Sequence, residues 1–151
     1  MNIAVGPGDG LALASGAVIK VRGEQTGGAL AVVETVLSPR SLISQHVHAN
    51  DVWIYVLAGE VGVLVGEEIA TGGPGSWLLK PRSVPHAMWN ATDRPARVME
   101  VLTPAGSEGY FVDGEKISDQ TAFDEMAARY GIRFLRESPW NDQLRAQFGL
   151  R

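Results

Sequence analysis

The stretch from His46 to Gly59 reads HVHANDVWIYVLAG, in which two histidines stand two positions apart just before an apolar run. Side chains at positions i and i+2 of an extended strand project from the same face, so His46 and His48 are expected to point together. The run Val52–Ala58 is far shorter than the roughly 20 apolar residues that a membrane-spanning helix needs. The stretch therefore predicts a short buried β-strand that follows a pair of neighbouring imidazoles.

Turn signals separate several short apolar segments between residues 11 and 103. Glycine, which favours tight turns, makes up 18 of the 151 residues, above its typical share of about 7%. The segments recur every 8–12 residues or so, a spacing typical of sandwiches and barrels. Val61–Val65 follows Val52–Leu57 after only three residues, which predicts a hairpin. We therefore expect an all-β domain.

Composition and charge exclude several classes of function. The 13 basic and 17 acidic residues give a net charge of −4, so no electrostatic footprint for nucleic acid or an anionic membrane is present. The absence of cysteine excludes a disulfide scaffold, a thiolate metal site and a cysteine nucleophile. The first ten residues lack the basic start and apolar run of a signal peptide. We therefore expect a cytoplasmic protein whose partner is a small molecule.

The C-terminal part of the chain shows helical rather than strand patterns. Capping residues and apolar stripes predict two short helices, over Thr121–Gly131 and Ser138–Gly149. We therefore expect a β-barrel over residues 1–115 and a helical extension over residues 116–151. The apolar stripes predict that this extension packs on the barrel or on a partner subunit.

The chain contains three histidines, His46, His48 and His86. Imidazole is a common ligand of zinc, iron, nickel and copper, and three imidazoles leave coordination positions open, as in catalytic metal sites. The alternative is structural: a partly exposed pair on one strand and a hydrogen-bonded histidine in the core. The residues alone leave both interpretations open.

Two separated segments resemble the paired motifs of the cupins, a superfamily of all-β proteins with a double-stranded β-helix (jelly-roll) barrel that holds one metal ion. The resemblance covers roughly residues 28–113, and its motifs occur in the expected order. It implies a cupin barrel with a short C-terminal helical extension, and metal ligation by the three histidines. The matching positions are His46, His48 and Gly59 in the first motif, and Gly75, Pro81, His86 and Asn90 in the second.

The segments Tyr55–Gly59 and Pro104–Gly106 resemble the quercetinase-like bacterial cupins. This resemblance implies a metal-dependent dioxygenase with one divalent transition metal ion, which is iron, nickel, zinc or manganese. It also implies a homodimer. The alternatives are a non-catalytic cupin that binds a small ligand, and an isomerase or lyase that uses the metal as a Lewis acid. The sequence assigns no catalytic residue.

Three positions depart from the cupin motifs. Arg40 and Ser83 occupy positions where the superfamily has turn glycines, and Val52 occupies the position of its glutamate ligand. Asp51 is adjacent, but strand alternation directs it to the opposite face from Val52 unless a β-bulge intervenes. We therefore favour a site with three histidines and no carboxylate.

The same alternation directs Val52, Ile54 and Val56 to the interior, which predicts an apolar cavity suited to a small aromatic or enol-type substrate. Glu100 lies within the otherwise apolar segment Val98–Leu102. A charged residue in such a segment either faces solvent or lies in the cavity. We favour the solvent face for Glu100.

Overall fold

The computed structural model describes residues 3–151, which form two antiparallel β-sheets and three short α-helices. One 3₁₀ turn, Gly23–Thr26, joins the second and third strands. The strands are β1 (Leu11–Ala12), β2 (Val18–Val21), β3 (Ala31–Leu37), β4 (Ser41–His48), β5 (Asp51–Ala58), β6 (Val61–Val65), β7 (Glu68–Gly72), β8 (Trp77–Lys80), β9 (His86–Asn90), β10 (Ala96–Thr103) and β11 (Ile132–Phe134). The helices are α1 (Gly109–Gly114), α2 (Gln120–Arg129) and α3 (Pro139–Phe148).

The two sheets pack face to face as a jelly roll. The larger sheet has the strand order β1-β2-β3-β10-β5-β8, and the smaller one has the order β11-β4-β9-β6-β7. The main core cluster contains side chains of both sheets, among them Ile54 and Val98 from the larger and Val63 and Met88 from the smaller. The predicted all-β jelly-roll fold with a C-terminal helix is therefore confirmed.

Strand β5 shows the alternation that the sequence predicts. Val52, Ile54 and Val56 are at most 3% exposed, whereas Trp53 between them is 42% exposed. Burying an aliphatic side chain of this kind stabilises the fold by roughly 1.5–3 kcal/mol. One wall of the interior is therefore apolar.

The predicted hairpin between β5 and β6 is wrong, because the two strands belong to different sheets. Gly59 lies at the crossing with a φ of 80°, in the left-handed region that favours glycine. A Cβ atom there would lie 2.8 Å from the Cα of Ala96. The chain therefore turns from one sheet into the other at a position that has no room for a side chain.

Arg40 and Ser83, which replace two motif glycines, both adopt the left-handed conformation, with φ of 55° and 62°. Each is held by hydrogen bonds that help to offset the unfavourable backbone geometry. The Ser83 amide donates to the His48 carbonyl at 2.9 Å, and the Arg40 guanidinium donates to Asp93 at 2.9 Å. The turns are therefore retained without glycine.

The C-terminal helices agree with the sequence in part. Helix α3 begins after Ser138, whose side chain accepts from the Trp140 amide, and its C-cap is the left-handed Gly149, as predicted. Helix α2 begins at Gln120 after the N-cap Asp119, which lies two residues before the predicted capping residue Thr121. The division of the chain at residue 115 stays a prediction.

Two elements near the chain's end had no sequence signal. Helix α1 was not predicted, and neither was β11, which pairs with β4 so that Ile132 lies opposite His48 and Phe134 opposite His46. The C-terminal segment therefore extends the smaller sheet beside the two histidines. Within residues 3–151, no helix is long and apolar enough to cross a membrane.

The packing of Gly62 against the fully buried Trp89 gives a test of the core. A Cβ atom at Gly62 would lie 2.2 Å from Cε2 of the indole, so Gly62→Ala should destabilise the protein by about 1–3 kcal/mol. Gly73→Ala is the matched control, because no other atom lies within 4 Å of the added carbon. Urea denaturation should show a lower midpoint for the first variant only; equal midpoints would contradict the packing.

Candidate metal centre

The structure brings the three histidines together at one end of the barrel. His46 and His48 lie on β4, and His86 opens β9 directly opposite His46. All three are buried, and one nitrogen from each lies within 4.8 Å of the other two. Three imidazole nitrogens at such distances can hold one metal ion.

A β-bulge in β4 helps to place His46 at this point. Ile43 pairs with Met88 and His46 pairs with His86, so three residues of β4 advance against two of β9. Without the bulge, Ile43 and His46 would lie on opposite faces of the strand. With the bulge, the side chains of Ile43 and His46 line the same cavity.

The C-terminal segment holds the bulge in place. The Gln45 amide donates to Oδ1 of the buried Asn141 at 2.8 Å, and the Gln45 carbonyl accepts from the Leu135 amide at 2.8 Å. Ser138 donates from its hydroxyl to the Gln45 side chain at 2.5 Å. These bonds satisfy backbone groups that a bulge removes from the regular ladder.

Hydrogen bonds to the backbone fix the tautomer of each imidazole. A carbonyl oxygen only accepts, so each Nδ1 carries the hydrogen and each Nε2 keeps a free lone pair. Nε2 of His48 and Nε2 of His86 are buried and have no hydrogen-bond partner among residues 3–151. The accepting carbonyls belong to Ser44 for His46 at 2.8 Å, Asn50 for His48 at 2.7 Å and Val84 for His86 at 2.8 Å.

Burial keeps the three imidazoles neutral. Loss of hydration, helped by the positive charge of Lys80, lowers the pKa of His46 to about 3 and that of His48 to about 4. Burial and the neighbouring imidazoles lower the pKa of His86 to about 2. At neutral pH all three nitrogen lone pairs are therefore free to bind a cation, as metal ligation requires.

A cavity of about 100 Å³ adjoins His46 and His48. Apolar side chains from both sheets and from the unpredicted elements α1 and β11 form much of its wall. The polar groups Asn50, Ser107 and Tyr110 also reach it, and burial raises the pKa of Tyr110 to about 12, so its hydroxyl stays protonated. The apolar side chains are Ile43, Val52, Leu102, Phe111, Ile132 and Phe134.

Glu100 lies in this cavity, so the expected position on the solvent face is wrong. It is 4% exposed and accepts from Lys80 Nζ at 3.3 Å and from the Thr35 hydroxyl at 3.3 Å. Lys80 supplies the opposite charge that a buried carboxylate needs. Alternation within β10 could have revealed the position, because Val98 and Leu102 on the same face are buried.

Val52 and Asp51 lie where alternation predicts. Val52 is 3% exposed and faces the cavity at the motif position of the glutamate. Asp51 points away and accepts from the backbone amide of Arg82 at 2.8 Å and from its guanidinium at 2.9 Å. These bonds lower the pKa of Asp51 and hold its carboxylate outside the histidine cluster.

Comparison with known families identifies the barrel. Residues 33–102 match the family model described as a cupin domain. No curated protein matches the chain. The matched region runs from β3 to β10 and contains all three histidines.

Several solved structures resemble part of this chain. KdgF from Halomonas sp. aligns with a TM-score of 0.52 and 19% identity over 58% of this chain and 76% of that one. TT1209 from Thermus thermophilus aligns with a TM-score of 0.48 and 35% identity over 51% of this chain and 74% of its own. Salicylate 1,2-dioxygenase from Pseudoaminobacter salicylatoxidans aligns with a TM-score of 0.48 and 26% identity over 50% of this chain and 23% of its own.

The likeness to KdgF concerns the fold alone, and this chain spans less than a quarter of the dioxygenase. The family match and the jelly-roll topology agree with each other and with the spacing of the sequence motifs. Residues 33–102 therefore form a cupin domain, which confirms the predicted resemblance to the cupin superfamily.

Proposed function

We propose that the protein binds one divalent transition metal ion through His46, His48 and His86 and is a metal-dependent dioxygenase for a small substrate. The observation that supports this most strongly is the convergence of three neutral imidazoles, two of which have a buried Nε2 atom with no hydrogen-bond partner among residues 3–151. A buried nitrogen without a hydrogen bond is costly, and a metal ion would satisfy it. The bound metal would supply Lewis acidity and a binding position for dioxygen.

The protein's own residues orient the substrate and exclude water. Val52, Leu102 and Phe134 line the cavity next to His46 and His48, so the part of a substrate that lies against them would lose its contact with water. Three neutral ligands leave the charge of the ion uncompensated, which favours a substrate that binds through an anionic oxygen. Iron, nickel, zinc and manganese all accept such a ligand set.

The size of the cavity limits which substrates a quercetinase-like enzyme of this kind could bind. An engineered cavity of about 150 Å³ in another protein holds benzene, whereas the space here is about 100 Å³. A three-ringed flavonol does not fit that space. The substrate we propose is therefore an enol or acid of only a few non-hydrogen atoms.

A second candidate, a Lewis-acid isomerase or lyase, is favoured by one specific feature. The buried pair of Lys80 and Glu100 lines the same cavity as His46 and His48. Isomerases and lyases need groups that move protons, and carboxylates and amines perform this role in enzymes. A cupin that binds a small ligand without turnover is the third alternative.

A homodimer and a cytoplasmic location belong to the proposal as well. The outer face of the larger sheet exposes Trp53 and Trp77, which are 42% and 55% exposed. Large apolar side chains at such a face are typical of contact surfaces between proteins. This feature supports the dimer, which stays a prediction.

Removing a proposed ligand should remove the metal. His86→Ala should weaken zinc or iron binding by more than about 100-fold, because even the loss of a residue that only supports a ligand costs about 10–100-fold. Asp51→Asn should leave metal affinity unchanged, since its carboxylate faces Arg82. Metal analysis after purification and titration of the apoprotein measure both; equal affinities in all three proteins would refute the site.

The metal-free protein should lose stability as the pH falls below about 6.5. Unfolded imidazoles take up protons near their ordinary pKa of 6.5, whereas the buried ones resist protonation down to about 4 for His48 and about 2 for His86. The unfolded state therefore binds more protons in this window, at up to about 1.4 kcal/mol per pH unit for each histidine. Urea denaturation of the wild type should show a steeper pH dependence than that of His86→Gln; identical slopes would contradict the burial argument.

Oxygen uptake separates the three candidate functions. With iron or nickel bound, we expect oxygen consumption with 2-hydroxy and 2-oxo acids of a few non-hydrogen atoms, and none with flavonols, because of the cavity size. An oxygen electrode and product analysis provide the measurement. Product formation without oxygen uptake would favour the isomerase or lyase, and no turnover of any compound would favour the binding protein.

A further inference from the structure

Lys80 is a buried lysine whose hydrogen-bonding capacity is only partly used. Its side chain is 5% exposed, and lysine is rarely so deeply buried without a specific partner. An ammonium group has three N–H donors, and within residues 3–151 the acceptor of Lys80 is Glu100 Oε2 at 3.3 Å. Two donors are therefore available to a ligand in the cavity.

The contact between Lys80 and Glu100 is also a loose one. Hydrogen bonds between ammonium and carboxylate groups are typically about 2.7–2.9 Å long, so 3.3 Å is long for a buried ion pair. The other oxygen of Glu100 accepts from the Thr35 hydroxyl, also at 3.3 Å. A purely structural pair would be expected to have short bonds and few unused donors, because its desolvation is otherwise uncompensated.

The strand pairing places the unused N–H donors of Lys80 in the same cavity as two of the histidines. Lys80 pairs with Val52 across β8 and β5, and Val52 pairs with Leu102 across β5 and β10. These two apolar side chains line the cavity that Lys80 shares with His46 and His48. The side chains of Val52 and Leu102 have no hydrogen-bond donor, so they do not compete with Lys80 for an anionic oxygen.

We propose that Lys80 binds the carboxylate of the substrate, while a second oxygen of the same molecule faces the three histidines. The substrate class is then a small carboxylate that carries a hydroxyl or keto oxygen. This inference rests on the proposed function, because the second oxygen is assigned to the metal held by His46, His48 and His86. Glu100 holds the lysine in place, and the volume of about 100 Å³ limits the substrate to a few non-hydrogen atoms.

Charge balance supports the choice of a carboxylate. Glu100 is the one acidic residue among the described residues that line the cavity, and Lys80 balances it. A divalent ion on three neutral imidazoles adds two positive charges that no residue of the cavity wall neutralises. An anionic ligand therefore fits the loaded cavity better than its neutral analogue.

The test compares glycolate with glycolamide, which has nearly the same shape but no charge, by calorimetry on the zinc-loaded protein. Lys80→Met should weaken glycolate binding about tenfold or more and glycolamide binding much less, because the ammonium group pairs with a full negative charge in glycolate but only with a neutral amide oxygen in glycolamide. Glu100→Gln keeps the lysine and should bind glycolate at least as tightly as the wild type. Lys116→Met, at an exposed lysine, is the matched control and should change neither affinity.

The inference is overturned if Lys80→Met changes both ligands equally or changes neither, or if the wild type shows no preference for glycolate. If the single variant does not fold, Lys80→Met combined with Glu100→Gln removes both charges and allows the same comparison. Zinc content is measured separately in every protein. A wild type that takes up none of iron, nickel, zinc and manganese refutes the proposed function, and the glycolate comparison on the metal-free protein then still decides the role of Lys80.

Discussion

Three backbone carbonyls that accept hydrogen bonds from Nδ1 of the histidines are the constraint on which the candidate site depends. Each carbonyl belongs to a residue two positions from its histidine, so the backbone path at that point sets the orientation of the ring. The hydrogen on Nδ1 leaves Nε2 as the free lone pair, and burial keeps each ring neutral. Orientation, tautomer and charge state all follow from the fold, before any metal is bound.

That backbone path is maintained by parts of the chain that lie outside the barrel motifs. The bulge before His46 is stabilised by Asn141, which accepts from the Gln45 amide and donates to the carbonyl of Leu135 at 3.0 Å. Strand β11 then pairs with the segment that carries His46 and His48, and Phe134 lies with its ring 5.3 Å from that of His46. The C-terminal segment is therefore a structural part of the site as well as a cover for the barrel.

The sequence could predict features that depend on local periodicity. The spacing of His46 and His48 and the opposite faces of Asp51 and Val52 follow from the two-residue period of a strand. Strand alternation places Glu100 on the face of Val98 and Leu102, but no local pattern shows that its charge is balanced by Lys80, 20 residues away on a strand that is not its neighbour. Strand β11 has only three residues, and its pairing with β4 is a long-range contact that no local pattern encodes.

The replacement of the glutamate ligand by Val52 changes the electrostatics of the site rather than simply removing a ligand. A carboxylate at that position would lie among the imidazoles and offset part of the charge of a bound ion. In this chain the carboxylate of the cavity belongs to Glu100, and its negative charge is balanced by the ammonium group of Lys80, two strands away in the same sheet. The charge of an ion on the three histidines would then have to be balanced by the substrate. Val52 and Lys80 together therefore shift the preference of the cavity towards anionic ligands, and its small volume shifts that preference towards small ones.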